Sequence, residues 1–206
     1  MLDPARLYLL TPLIEDATAF QPLLVASLRE PVACVLLRFA TSIGREDRAT
    51  LVRAVQAKGV AALVSGEARE AARLGADGVH LAGIDDDLYE ALRALKPDGI
   101  VGVGRLGSRD DAMTVGDSGA DYLLFGEPRP DGFLPALLTT LDTVRWWADI
   151  FNVPCVAYAS RFDDVWPLVE AGAEFIALGD AVWSDARGPA AAIASLDGVL
   201  SRKAFA

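Results

Sequence analysis

The chain has little of the chemistry that most often announces a function. A single histidine, His80, stands among 206 residues, with two cysteines and three lysines, Lys58, Lys96 and Lys203. Cys34 and Cys155 are too far apart in sequence to compose a zinc site. Each lies in an apolar run, so both read as buried free thiols of a reducing compartment. No lysine falls at an expected strand end, which removes the nucleophile of a Schiff-base aldolase. One histidine also leaves few candidates for an isomerase base. Positive charge is in deficit: 19 Lys and Arg against 29 Asp and Glu leave a net charge of −10. That balance excludes a general nucleic-acid or anionic-membrane surface. No uncharged stretch approaches the roughly 18 residues of a membrane span. The start, Met1-Leu2-Asp3-Pro4-Ala5-Arg6, lacks the basic patch and apolar core of a secretory signal. The expectation is a soluble cytoplasmic protein with neither nucleic acid nor membrane as partner.

What is present is apolar sequence, 52% of the chain, arranged in a repeating grammar. Gly75-Ala76-Asp77-Gly78-Val79-His80-Leu81 is echoed by Gly119-Ala120-Asp121-Tyr122-Leu123-Leu124-Phe125-Gly126 and by Gly172-Ala173-Glu174-Phe175-Ile176-Ala177-Leu178-Gly179. Each echo closes a helical pattern with glycine, which tolerates the left-handed backbone of a helix end, and then enters an apolar strand. Near-continuous apolar runs mark strands of a parallel sheet covered on both faces. They fall at 7–11 (ended by Pro12), 32–37, 61–64, 78–81, 100–103, 122–125, 154–157 and 175–178. Helical patterns fill the intervals. The first has Phe20, Leu23, Leu24 and Leu28 on one face; others cover 45–58, 67–74 and 86–95. Ser108 with Asp111 marks a helix start with a capping acid. The longest pattern, 134–150, places Leu134, Leu137, Leu138, Leu141 and Val144 on one buried face. Two more cover 163–171 and 189–200. Eight strands alternating with eight helices, without a linker, predict an α/β fold of one domain over 1–206, a (β/α)8 TIM barrel.

Active sites of such barrels lie at the C-terminal strand ends. Those ends carry Thr11, Arg38, Ser65, Asp85, Arg105, Glu127, Arg129, Ser160, Arg161, Gly179 and Asp180. Four arginines in one mouth of an acidic protein favour an anionic ligand, since the planar guanidinium suits phosphate and carboxylate. The alternative is a solvated rim where arginines pair with Asp85, Glu127, Asp163 and Asp180. His80 lies inside a strand, below the mouth, and reads as a hydrogen-bonded core histidine. Asp85 stands at a strand exit as a candidate metal or ligand contact, and Asp86 and Asp87 as helix-start acids. Trp146 and Trp147 cannot both face inward on one helix, which raises a homodimer through the outer tryptophan.

Leu7-Tyr8-Leu9-Leu10-Thr11, the strand end Val35 to Arg38, Gly75-Ala76-Asp77-Gly78-Val79-His80-Leu81, Ile100-Val101-Gly102-Val103, Gly119-Ala120-Asp121-Tyr122 and Ala171-Gly172-Ala173 match a known pattern in order and spacing. It resembles that of the thiamine phosphate synthase family, which includes thiazole tautomerase relatives. The resemblance spans nearly the whole chain. It implies a barrel that joins a pyrimidine diphosphate to a thiazole phosphate, displacing diphosphate with the help of Mg2+.

The functional pattern of that family is largely replaced. Of Gln-x-Arg-x-Lys after strand two, only Arg38 remains, between Leu36 and Ala40. Ser65 and Gly66 stand where the family has Asn-Asp, whose aspartate helps hold magnesium. The second metal-associated aspartate is placed on Asp85. Gly104 and Arg105 stand at the family's serine after strand five. Glu127-Pro128-Arg129-Pro130-Asp131-Gly132 takes the place of Thr-x-Thr-Lys, Ala159-Ser160 of Gly-Gly, and Asp180 of serine. Magnesium needs at least one or two carboxylates beside phosphate oxygens, so with Gly66 present Asp85 must recruit Asp86 or Glu67, or the metal is lost. An aspartate about 4 Å from a phosphate charge costs roughly 4 kcal/mol at an effective dielectric near 20, so Asp180 must turn away or the subsite loses phosphate. The expected function is a divergent synthase-like barrel of thiamine metabolism that binds a small phosphorylated or carboxylated metabolite. Arg38, Arg105, Ser160, Arg161 and Gly179 form the binding set, and the diphosphate-displacing activity is lost. A non-catalytic interaction or regulatory module is the alternative.

Overall fold

The structure, a computed structural model, describes residues 4–28 and 32–200; Met1-Leu2-Asp3, Lys203 and the side chain of Asp86 lie outside that description. Eight strands form: β1 (Arg6–Ile14), β2 (Val32–Phe39), β3 (Ala61–Ser65), β4 (Gly78–Leu81), β5 (Ile100–Val103), β6 (Tyr122–Phe125), β7 (Cys155–Ala159) and β8 (Phe175–Leu178). All pair in parallel and in chain order, and β8 pairs back onto β1 (Leu7 opposite Ile176, Leu9 opposite Leu178), closing the expected barrel. Among the described residues the helices are α1 (Ala17–Ser27), α2 (Arg45–Gln56), α3 (Ala68–Leu74), α4 (Asp86–Leu95), α5 (Arg109–Ser118), α6 (Leu137–Ile150), α7 (Val165–Glu170), α8 (Asp180–Trp183), α9 (Pro189–Ala194) and α10 (Asp197–Leu200). None is long and apolar enough to cross a membrane.

Strand alternation splits the core into two layers. Tyr8, Leu10, Leu36, Leu63, Tyr122, Leu124, Val156 and Ala177 fill the barrel interior. Leu7, Leu9, Val35, Leu37, Val64, Val79, Val101 and Leu123 point outward against the helices. The glycine grammar holds where it matters: Gly75 (φ 68) and Gly119 (φ 96) take the left-handed conformation that ends α3 and α5. Ser108 caps α5 by accepting from the Asp111 amide at 3.1 Å, and an Asp111 carboxylate oxygen accepts from the Gly107 amide at 3.0 Å. Both thiols are buried and unbonded to each other, and burial pushes each pKa up.

Several local expectations are corrected by packing. Pro12 does not end β1: the β1–β2 register shifts between Leu10 and Leu13, and the strand continues to Ile14. A proline without a ladder N–H is accommodated at such an irregularity. Leu23 is exposed on α1, whose buried face is Ala17, Phe20, Leu24 and Ser27. The long sixth helix starts at Leu137, and Leu134 and Leu138 are 41% and 74% exposed. Its inner face is Thr140, Leu141, Val144 and Trp147, rotated so that Trp147 can stack on Phe151 and donate to the Val153 carbonyl at 2.7 Å. Trp146 is half-buried, with the Arg109 guanidinium 4.7 Å above its ring. The last expected helix divides into α9 and α10. Helix α8, a single turn beyond the eight expected, brings Trp183 over the barrel to donate to the Leu10 carbonyl at 2.6 Å.

Candidate functional site

At the C-terminal strand ends lies a cavity of about 470 Å3, lined by Leu10, Arg38, Ser65, Arg105, Tyr158, Gly179 and Asp180 among others. Arg38 leaves the end of β2 inward. Its amide donates to Thr11 Oγ1 at 3.0 Å and its Nε to the Thr11 carbonyl at 2.6 Å. Thr11, fully buried, therefore acts as a bracket fixing the guanidinium. Desolvation pushes the Arg38 pKa down, against the pull of Asp180, Tyr158 and Glu127. Arg105 follows Gly104 at the exit of β5 with φ 53. A left-handed arginine costs roughly 1–2 kcal/mol; here that turn carries its side chain to the boundary of two cavities.

Neither Arg38 nor Arg105 has a carboxylate within ion-pair distance among the described residues, although Arg48, Arg53, Arg69, Arg145, Arg161 and Arg187 do. Asp180, the first residue of α8, is exposed and is Arg38's largest electrostatic neighbour without closing an ion pair. Tyr158 lies beside Gly179 on the same wall, its phenol pKa raised by burial and by Asp180.

The sequence-derived binding set is not brought together as a whole. Arg38, Arg105 and Gly179 share the mouth. Ser160 and Arg161 stand aside, occupied by Asp164. The Ser160 hydroxyl and the Arg161 amide donate to its Oδ2 at 2.8 and 3.1 Å, and the Arg161 guanidinium meets Oδ1 at 3.2 Å. Asp164 is 3% exposed, so these contacts hold a buried charge and fix the 3-10 turn (Phe162–Asp164) between β7 and α7.

The described residues show no assembled site for the magnesium that the resemblance implies. Asp85 caps α4, where its Oδ1 accepts from the Asp87 amide at 3.1 Å. Gly66, at φ 134, offers no ligand at the other family position. The neighbouring Glu90 is engaged by Arg69 at 2.8 Å. No group of three or more His, Cys, Asp or Glu side chains among the described residues could hold a metal ion.

Below the mouth runs a polar column that the spacing alone does not single out. Tyr8 Oη lies 2.8 Å from Tyr122 Oη, which lies 3.0 Å from His80 Nδ1. His80 Nε2 faces Glu127 Oε1 at 3.6 Å, too far for a hydrogen bond, and neither atom has another partner. His80 is thus the core histidine expected, at 2% exposure. Glu127, expected on a solvated rim, is buried at 7%. Space for it comes from the neighbouring strand end: a Cβ on Gly104 would overlap the Glu127 carboxylate and stand 2.8 Å from His80 Nε2. Two glycines at alternate positions, Gly102 and Gly104, were the sequence signal that β5 yields its share of the interior to larger neighbours.

Residues 7–182 match the family model described as thiamine monophosphate synthase. The thiamine-phosphate synthase of Rhodospirillum centenum is 41% identical over 209 residues, covering 97% of this chain and 99% of that protein. That of Hyphomonas neptunium is 38% identical, covering 91% and 90%. Among solved structures, a thiamine phosphate pyrophosphorylase from Pyrococcus furiosus superposes with a TM-score of 0.77 over 96% of both chains at 21% identity, a likeness of fold.

Proposed function

Because the chain belongs to the thiamine monophosphate synthase family, we propose that its mouth binds a small phosphorylated or carboxylated metabolite of thiamine metabolism through Arg38 and Arg105. One observation carries this reading: in a protein of net charge −10, three guanidiniums, of Arg38, Arg105 and Arg129, line one cavity without a carboxylate at ion-pair distance among the described residues. Charge-assisted hydrogen bonds from such groups contribute about 1.5–3 kcal/mol each. Arg38 enters pre-oriented by Thr11, which lowers the ordering cost of binding. The loss of synthase activity expected from the sequence has no support in relatives that carry the synthase name at 41% and 38% identity. What lacks support among the described residues is something narrower, a cluster of three or more side chains that would hold a metal by themselves. We therefore read the transfer itself as the reaction to test, with Arg38 and Arg105 placed to bear charge on a departing diphosphate.

Asp180 favours the alternative of a binding module, because it sets a negative charge beside Arg38 where an anion would enter. Calorimetry with thiazole phosphate, thiamine phosphate and inorganic diphosphate decides between these readings. Wild type is expected to bind at least one. Arg38→Ala should lose about 2 kcal/mol, a 30-fold weaker Kd, and Asp180→Asn should bind more tightly. Binding untouched by Arg38→Ala removes Arg38 from the site. Turnover of the two family substrates then separates enzyme from module.

A further inference from the structure

At the end of the barrel opposite the mouth, where the strands begin, the inward-facing layer is underfilled. On β2 and β3 the paired residues of the layer above are Leu36 and Leu63; one step below them the pair is Cys34 and Ala61. Layers of such barrels are ordinarily filled by bulky branched side chains, and here the small pair borders a cavity of about 270 Å3. Its walls are largely apolar and aromatic, with Tyr8, Tyr122 and Phe175 among them. Two charged residues line it. Asp121 is engaged by the Lys96 ammonium and by the Val101 amide, which donates to its Oδ2 at 2.7 Å. Arg6 has no carboxylate at ion-pair distance among the described residues, and its guanidinium lies 5.5 Å over the Phe175 ring. Its charge is felt on the wall: burial pushes the Cys34 thiol pKa up, and Arg6 pulls against that push.

We propose that this cavity is a second binding site, for a small aromatic monocarboxylate whose ring fills the underpacked layer and whose carboxylate meets Arg6 at the rim. The inference is independent of the anion reading of the mouth.

Size, shape and charge each narrow the occupant. An apolar cavity of about 150 Å3 accommodates a benzene ring, so this larger one takes a substituted ring and little more. Aromatic walls favour a flat ring, which gains from edge-to-face contact beyond the area it buries. One unpaired guanidinium admits one carboxylate and, being planar, can bind both of its oxygens. A second negative charge on the ligand would be desolvated against walls such as Leu63 and Val156, with no further unpaired cation lining the cavity among the described residues. Tyr122 lines the cavity and also stacks on the His80 imidazole, ring centroids 5.8 Å apart. Occupancy is therefore legible at the chain's single histidine.

Sodium benzoate is the probe, with benzyl alcohol as its uncharged counterpart. Calorimetry on the wild type should give a Kd for benzoate of about 1 mM, as expected of a ligand this small. Benzyl alcohol should bind about tenfold more weakly, and Arg6→Gln should weaken benzoate by about the same factor, the loss of one charge-assisted contact. Ala61→Phe, which fills the layer, should abolish benzoate binding. Thermal unfolding reports whether that variant folds; if it does not, Arg6→Gln, at an exposed position, still decides the matter. Arg38→Ala should leave benzoate binding unchanged, and the His80 imidazole resonance should move with benzoate in both wild type and Arg38→Ala. Benzyl alcohol binding as tightly as benzoate, or benzoate indifferent to Arg6→Gln, overturns the inference. So does benzoate retained by a folded Ala61→Phe. Binding lost in Arg38→Ala overturns it by placing the anion in the mouth, and a His80 resonance that stays fixed as benzoate binds places it elsewhere. Absence of benzoate binding at millimolar concentrations overturns it as well, while family phosphates binding through Arg38 would still uphold the mouth.

Discussion

Gly102 offers the sharpest test of the packing that builds the site. It lies on the inner face of β5, opposite Tyr122 in the β5–β6 pairing. A Cβ added there would overlap the Tyr122 ring, closer than the 3.0 Å that real Cβ atoms essentially never breach. The ring has little freedom to yield. It is 6% exposed, its hydroxyl is bonded to Tyr8 at 2.8 Å and His80 at 3.0 Å, and the Tyr8 ring meets it edge-on at 5.7 Å. Overpacking a core costs typically 1–3 kcal/mol, and a pinned aromatic places this case near 3. A Gly to Ala change recovers about 0.4–1 kcal/mol by restricting the unfolded chain. Gly102→Ala should therefore destabilise by about 2–3 kcal/mol. At about 2–4 °C per kcal/mol for a chain of this size, Tm should fall by about 5–10 °C. Urea unfolding in a double-mutant cycle with Tyr122→Leu gives the mechanism: once the ring is gone the new methyl has room, so the double variant should be more stable than the sum of single effects by about 2 kcal/mol. A Gly102→Ala variant within 0.5 kcal/mol of wild type, or strict additivity with Tyr122→Leu, would refute the packing argument.

Two further predictions concern buried ionisable groups. Tyr8 and Tyr122 have phenol pKa values raised above the ordinary 10, first by burial and then by neighbouring charge. The folded state keeps protons that the unfolded chain releases, so their contribution is intact below about pH 10 and stability must fall as pH rises beyond it. The slope of unfolding free energy against pH above 10 should shrink by about one proton in Tyr8→Phe; an unchanged slope would exclude Tyr8. Asp164→Ala should cost about 2–3 kcal/mol in urea unfolding, because it strips partners from the Ser160 hydroxyl and the Arg161 amide, while leaving anion binding in the mouth unchanged. Loss of that binding would return Ser160 and Arg161 to the site.

How much of the molecule was legible before folding differs by kind of feature. The strands β4, β5, β6 and β8 have the bounds read from their apolar runs, and Ser108, Gly75 and Gly119 end or begin helices as read. These are decisions of a few adjacent residues and need no distant partner. The buried face of α6 was misread: leucines at 134 and 138 fit the spacing as well as Trp147 does, and only the ring of Phe151 and the carbonyl of Val153 settle the rotation. Arg38 and Arg105 could be assigned to the mouth because strand ends face one way in a barrel. Ser160 and Arg161 end strand seven just as plainly, yet Asp164, a few residues on, holds both.

Sequence alone determined the alternation and the closed barrel, because periodicity and helix-end chemistry are local and recur along the chain; the family came from the resemblance carried by Gly75-Ala76-Asp77-Gly78-Val79-His80-Leu81 and its companion motifs. Tertiary structure decided which charges meet in the mouth and which are paired off. Whether a carboxylate such as Glu127 meets water or a histidine depends on what adjoining strands leave empty, here the missing side chain of Gly104. That vacancy lies where the ends of three successive strands, β4, β5 and β6, meet, and no pattern within any one of them records it.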